Sequence, residues 1–485
     1  MLFFELLQIA IGNRKMLSHT PTAEEWRELY TLAKKQTMVG IAFCGVEKLP
    51  VEQRPQRVML LQWCTAAERI KSLNEEMDWK TSVVANKFLE EGFPGVVLKG
   101  QGIAQLYRVE QIENSKLKID NGLPEGDARE YENDNENQGT GKFSILNSQF
   151  SIKEYRTPGD IDIWLHGERD VILEYVRRHI PDCKPVYHHV DFPVLDDVSI
   201  EVHFTPTWMN SPVRNRCLQR FFKSMVNSQQ STDGLFNQRD KHTNLDASTH
   251  TQACAGHPGC SQISHTEITE YTEFSGNADT ISHDMDLNSQ NARIASLACG
   301  LPDGDTQPST LNSQHSTLNT KQATFPVPNN AFNRIYILVH IYRHLFAEGV
   351  GLRQLLDYYF VLQQGFTEVE REETLRTLRS LGMMRFTRAV MWVLQEVYGM
   401  PDRYLLTSPD EEEGEFLLDE IMLAGNFGKY DERMQRAAGE GTFRWGLRKV
   451  IRNFRFVRSY PSEVLWSPLF KVWHLFWRKK HLWCG

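Results

Sequence analysis

The chain has 485 residues, 41% hydrophobic and 24% charged, with a formal net charge of -8 at pH 7. That length accommodates two or three domains and a core large enough to need no covalent staples, and the acidic balance speaks against a protein that coats nucleic acid with its whole surface. Eight cysteines with no Cys-x-x-Cys pair are expected to be reduced thiols in a cytoplasm, not a disulfide framework.

The opening M-L-F-F-E-L-L-Q-I-A-I-G is apolar, but it has no basic leader, carries Glu5 within the run and offers no small-x-small cleavage site. It reads as a first amphipathic helix, not an export signal. Thr22 and Glu25 predict a capping box ahead of Trp26, Leu29, Tyr30, Leu32 and Ala33 at helical spacing. After Pro50 and Pro55 a long helix is predicted from about Gln56 to Glu91, so residues 1–90 form an N-terminal helical region whose aromatics read as core. No stretch reaches the roughly 18 to 20 uninterrupted apolar residues that a membrane span needs.

At G-F-P-G-V-V-L-K-G-Q-G-I-A-Q-L-Y the pattern changes: a short strand, Val96 to Leu98, runs into Lys99-Gly100-Gln101-Gly102 and a helical segment ending near Tyr107. A strand, a glycine turn and a helix start together can seat phosphate on free backbone N–H groups. Such turns are also common without a ligand. Residues 109–154 are then acidic and rich in Asn and Gly, and residues 227–325 are rich in Ser, Thr, Asn, Gln and His. Both are expected to be disordered low-complexity inserts, since neither can bury enough apolar surface to order itself. Asn-Ser-Gln recurs at 147–149, 227–229, 288–290 and 312–314, as expected of material spliced into an existing fold. Cys254, His257, Cys260 and His265 lie in the second insert, at a spacing that matches no common zinc pattern.

Between the inserts, R-T-P-G-D-I-D-I-W-L predicts a strand with Asp160 and Asp162 on one face and Ile161, Ile163 and Leu165 in the core. Two carboxylates that close repel unless a cation lies between them. A helix over Asp170 to His179 and a hairpin follow, with strands Tyr187 to Leu195 and Val198 to Phe204 joined at Asp196-Asp197. In the second strand Ser199, Glu201 and His203 share the polar face.

From Asn330 to about 440 the pattern is helical. His340 and His344 lie one turn apart, a Gly349-Val350-Gly351 break follows, and the next helix carries Arg353 and Asp357, read as a salt-bridged pair. No third zinc ligand follows the histidines at a useful spacing. The segment 441–485 interleaves bases with aromatics. Such helices lie on anionic membranes, stack on nucleic acid, or wrap the protein's own acidic surface.

With residues 109–154 removed, Gly100 and Asp160 are 14 positions apart. The order strand, glycine turn, helix, Asp-x-Asp strand and third acid resembles the nucleotidyltransferase superfamily that includes DNA polymerase beta. More narrowly, L-K-G, R-T-P-G-D-I-D, E-V-H and G-V-G-L-R-Q-L-L-D resemble a bacterial family called uncharacterised nucleotidyltransferases, over about residues 90–226 and 330–360. Lys99-Gly100-Gln101 departs from the Gly-Ser turn usual in the wider superfamily.

The resemblance implies an α+β fold: a small mixed sheet in a core over residues 91–226, flanked by the N-terminal helices and a C-terminal helical domain over 326–440. It implies Asp160, Asp162 and Glu201 as catalytic metal ligands for Mg2+ or Mn2+. Lys99, Gly100, Gln101, Gly102 and Arg156 would bind the nucleotide, ATP or another NTP. His203, His340, His344, Arg353 and Asp357 would line the cleft. The expected activity is transfer of an NMP group from an NTP to a hydroxyl acceptor by a two-metal mechanism in the cytoplasm. A non-catalytic nucleotide-binding adaptor, docking through the basic-aromatic tail on the inner face of a membrane or on a partner, is the alternative. An enzyme modifying nucleic-acid ends, with the tail as its groove, is a third reading, and three surface acids without a metal are the plainest.

Overall fold

The computed structural model describes residues 1–107, 152–195, 197–227, 325–433, 435 and 439–482. Most of both inserts, including the 254–265 Cys/His group, lies outside the described residues.

Helices α1 (Leu2–Ile11), α2 (Ala23–Lys35), α3 (Val39–Lys48) and α4 (Arg57–Glu90) open the chain. Thr22 and Glu25 close the predicted capping box at the start of α2, with Glu25 accepting from the Thr22 amide at 2.8 Å. The four helices pack as a group, burying Phe3, Trp26, Phe43 and Trp63 in the main core. At 34 residues, α4 is about 51 Å long at 1.5 Å per residue. Its middle carries a polar seam: Asn74 donates to the carbonyl oxygens of Glu154 and Arg156, which ties the segment before the aspartates to the helix.

The sheet has four strands in the order β1 (Gly95–Val97), β2 (Ile161–Leu165), β4 (Ile200–His203), β3 (His189–Asp191). β1 runs antiparallel to β2, β2 parallel to β4, and β3 antiparallel to β4. The parallel pair sets Asp162 beside Glu201 and Trp164 beside His203. Ile161, Ile163, Leu165, Ile200 and Val202 are buried, as the alternation requires. The short helix α5 (Gln101–Ala104) follows β1, α6 (Arg169–His179) follows β2, and α7 (Pro212–Asn227) follows the sheet. Residues 152–154, at the margin of the first insert, form part of a 3-10 turn, Ile152–Tyr155, with both end residues buried.

The C-terminal part is helical: α8 (Asn330–Ala347), α9 (Leu352–Gln363), α10 (Glu368–Ser380), α11 (Met384–Tyr398), α12 (Glu411–Ala424), α13 (Thr442–Asn453) and α14 (Pro461–Leu482). α8 and α9 are buried along most of their length, and the Gly349-Val350-Gly351 break lets them pack against each other. Trp164 stacks on Phe332 of α8 with ring centroids 5.6 Å apart, so it is a core residue joining the sheet to the helices. The fold is α+β, with a small mixed sheet among helices. No helix of the described residues is long and apolar enough to cross a membrane, and Cys44, Cys64, Cys183 and Cys217 are free thiols.

Part of the basic tail binds the body. Arg452 donates to the Leu345 carbonyl at 2.7 Å, Arg455 pairs with Glu420, and buried Glu463 accepts from the Asn210 amide at 2.8 Å. Beyond Glu463, α14 exposes Leu465, Trp466, Leu469, Val472, Trp473 and Phe476.

Candidate active site

Asp160 and Asp162 do share a side, and the cation between them is Lys99. Its Nζ lies 2.9 Å from Asp160 Oδ2 and 3.0 Å from Asp162 Oδ2. β1 and β2 are adjacent, and the Leu98 amide donates to the Asp162 carbonyl oxygen at 2.9 Å, so the residue after β1 is delivered to the aspartates. Burial works against the ammonium, yet Asp160, Asp162 and Glu201 carry the Lys99 pKa well above its ordinary value. It is a permanent cation at neutral pH.

The parallel register brings the third carboxylate in. His203 Nε2 bridges Asp162 Oδ1 at 2.8 Å and Glu201 Oε2 at 3.2 Å. Burial disfavours the imidazolium, but these two hydrogen bonds outweigh it and raise the His203 pKa to about 9. Burial likewise disfavours the Glu201 carboxylate, and the His203 hydrogen bond with neighbouring positive charge brings its pKa down to about 2. His189, driven down to about 4 mainly by burial, is neutral at pH 7, so the positive charge beside Glu201 is that of His203.

The glycine turn is shaped by packing. Gly100 adopts φ 57 and ψ -115, which a residue with a side chain rarely adopts. A Cβ on Gly102 would lie 2.4 Å from the Val97 carbonyl oxygen, so these glycines permit close packing of strand and helix. α5 is four residues long, too short to build much of a dipole. The Gln101 side chain is buried and donates to Asp78 and Asn74 of α4, so it anchors the turn to that helix.

Arg156 also differs from expectation. Its guanidinium forms a buried fork on Asp357, Nε to Oδ1 and Nη2 to Oδ2 both at 2.8 Å, and Tyr107 donates to the same carboxylate at 2.7 Å. Burial opposes the charge, but Asp357 raises the Arg156 pKa above its usual value. Arg156 is thus held by Asp357 within the protein. The expected Arg353–Asp357 pair does not form: Arg353 donates to the carbonyl oxygens of Thr157 at 2.7 Å and Pro158 at 3.3 Å, holding the loop that enters β2. Side chains one turn apart on α9 thus brace the same strand from different partners.

A small cavity of about 30 Å3 is lined by Lys99, Gly100, Asp160, His340, Arg353 and Asp357 among others. It has room for about one water. His340 borders it, whereas His344 pairs with Glu348 at 3.2 Å and faces Phe427. Burial lowers the pKa of both rings, which are packed 4.4 Å apart. Neither groups with a third metal donor among the described residues.

Asp162, Glu201 and His203 offer donor atoms within 4.8 Å of one another, and the Asp160 carboxylate shares Lys99 with Asp162. Carboxylate oxygens suit Mg2+ or Mn2+, so the three carboxylates fit such an ion, while His203, protonated, orients two of them and is not itself a ligand. Sequence reasoning missed His188, His189 and Arg343. His189 is the cross-strand neighbour of His203, a pairing that the hairpin register could have exposed. Arg343 is a partly buried cation on α8 with its guanidinium 3.9 Å from the Trp208 ring, and no local pattern distinguished it.

Residues 22–112 and 299–399 match the model of a family described as Uncharacterised nucleotidyltransferase, in line with the resemblance carried by the sequence motifs. The matched spans contain Lys99 to Gly102, His340, His344, Arg353 and Asp357, while Arg156, Asp160, Asp162 and Glu201 fall between them. No curated protein and no solved structure gives a significant match.

Proposed function

We propose, from the match to uncharacterised nucleotidyltransferases, that this chain transfers an NMP group from an NTP to a hydroxyl acceptor, with Asp160, Asp162 and Glu201 as the catalytic carboxylates. The family match supports nucleotidyl transfer in general. The observation that carries the finer reading is the convergence of three carboxylates, from β2, its entry loop and β4, around two cations, with Asp160 and Lys99 lining a small cavity.

Asp160, Asp162 and Glu201 would hold Mg2+ or Mn2+. Such an ion supplies neutralisation of the triphosphate and activation of the acceptor oxygen. Glu201, ionised above pH about 2, accepts the charge of His203, which keeps the carboxylate pointed at Asp162. Lys99 is the cation best placed to exchange its aspartate partners for phosphate oxygens. Arg353 borders the same cavity and contributes positive potential there. Gly100 and Gly159 keep the approach free of side chains.

The test is full-length protein with Mg2+ and each NTP in turn, reading NTP binding and pyrophosphate release. Asp160→Asn should lower turnover at least about 100-fold, since even supporting contacts of a metal site are worth 10 to 100-fold, and leave the fold intact. Failure of the wild-type chain to bind any NTP would sink the proposal.

One observation favours a second reading, that of a nucleotide-binding adaptor: α14 exposes Trp466, Leu469, Val472, Trp473 and Phe476 beside Lys471, Arg478 and Lys479. That combination suits an anionic bilayer surface. Co-sedimentation with anionic but not neutral vesicles, lost on deleting residues from 464 onward, is the expected result. Retained biological activity in Asp160→Asn together with its loss in the tail deletion would favour this reading over transfer, and tail-dependent retention of tRNA or DNA would favour a nucleic-acid groove.

A further inference from the structure

Beside the acidic residues, on the outer side of Glu201, two histidines of the hairpin close on the same carboxylate. His188 Nε2 and His189 Nδ1 lie 2.9 Å apart, and His189 Nδ1 is 3.1 Å from Glu201 Oε2. The three residues present ligand atoms within 4.8 Å of one another. His188 is buried, with its ring 3.9 Å from that of Trp208, and its Nδ1 has no hydrogen-bond partner. Trp208 in turn stacks on Phe470 of α14, so the tail covers the dry side of the group.

We propose that His188, His189 and Glu201 form a binding site for a transition-metal ion of the zinc class, distinct from the Mg2+ or Mn2+ ligands though sharing Glu201 with them. Two imidazole nitrogens and one carboxylate oxygen converge on a single space. A single N–H among these atoms satisfies the lone pair that accepts it, whereas a metal cation accepts a lone pair from all three. Ligand atoms bound about 2.0 to 2.1 Å from a tetrahedral zinc are roughly 3.3 Å apart, close to the separations present. Imidazole selects zinc-class ions, while Mg2+ prefers oxygen donors throughout. Three protein ligands leave a fourth position for water or a substrate group. Because Glu201 belongs to both sets, an ion here withdraws an oxygen from the acidic set and from His203, making zinc a regulator of that set. The site itself stands whether or not the chain transfers nucleotides, since its readout is metal binding alone.

Full-length metal-free protein titrated with Co2+ in excess Mg2+ should develop visible d–d bands at one ion per chain, abolished on adding Zn2+. His188→Gln and His189→Gln should each weaken binding about 100-fold or more, and His340→Gln should leave it unchanged. Circular dichroism of each metal-free variant reports folding. Should His188→Gln fail to fold, the partly exposed His189 carries the test. Absence of the bands, bands that persist at the same stoichiometry in the His188→Gln/His189→Gln protein, or a cobalt–thiolate charge-transfer band assigning the ion to cysteines would each overturn the proposal.

Discussion

Two cation–carboxylate contacts flank the same small cavity and behave as opposites. Arg156 and Asp357 form a planar two-point fork whose side chains are 3% and 8% exposed, with Tyr107 completing the carboxylate. Lys99 divides one ammonium between Asp160, 32% exposed, and Asp162, fully buried. A guanidinium fork has fixed geometry and weak hydration, so it stays where it is formed. An ammonium is a point charge on a flexible stem and changes partners readily. The fork therefore reads as a brace between α9 and the segment leading into β2, and the lysine as the exchangeable part of the site.

The comparison breaks most sharply at the fork. Arg156→Met leaves Asp357 buried without its cation, and loss of one partner of a buried pair costs about 3 to 5 kcal/mol. Denaturant unfolding should show that loss independently of added Mg2+. If Arg156→Met is as stable as the parent but defective in nucleotide binding, the brace and the ligand roles are reversed.

Lys99→Met should behave differently. Removing the shared ammonium leaves two facing carboxylates, at a cost of about 1 to 3 kcal/mol for the unsatisfied groups. Millimolar Mg2+ should restore much of this, so thermal unfolding of Lys99→Met rises with Mg2+ more than that of the parent. An equal response in both proteins would mean that the lysine does not occupy the ion's place.

Gly100→Ala tests the turn that delivers Lys99. With φ at 57 and ψ at -115, an alanine is strained by about 1 to 3 kcal/mol. Thermal unfolding measures that loss, and nucleotide binding should fall in the same variant, because the turn sets where the ammonium lies.

The remaining test is pH dependence. His203, raised from 6.5 to about 9, contributes stability that is complete below pH 6.5 and is lost as pH rises through about 9. Glu201, lowered from 4.5 to about 2, contributes stability that is complete above pH 4.5 and is lost as pH falls through about 2. From these two groups a plateau between pH 4.5 and 6.5 is expected, and His203→Gln should flatten the alkaline limb of a pH series of unfolding midpoints.

Much of the frame was legible locally. Alternation alone put Asp160 with Asp162 and Glu201 with His203, the Thr22–Glu25 spacing announced a helix start, and Gly349 to Gly351 marked a break between helices. These features depend on neighbours within a few positions, where backbone geometry dictates which side chains share a face. The partners of the cations did not follow that rule. Arg156 looked free for phosphate and Arg353 looked paired with Asp357, but the choice between them depends on how α9 packs against a segment about 200 residues earlier. Only the parallel pairing of β2 with β4 placed Glu201 beside Asp162, and only the hairpin's return put His188 and His189 against Glu201. Periodicity is a property of the chain, whereas the identity of a buried charge's partner is decided by tertiary packing, because a charge removed from water takes whichever opposite charge the fold brings within reach.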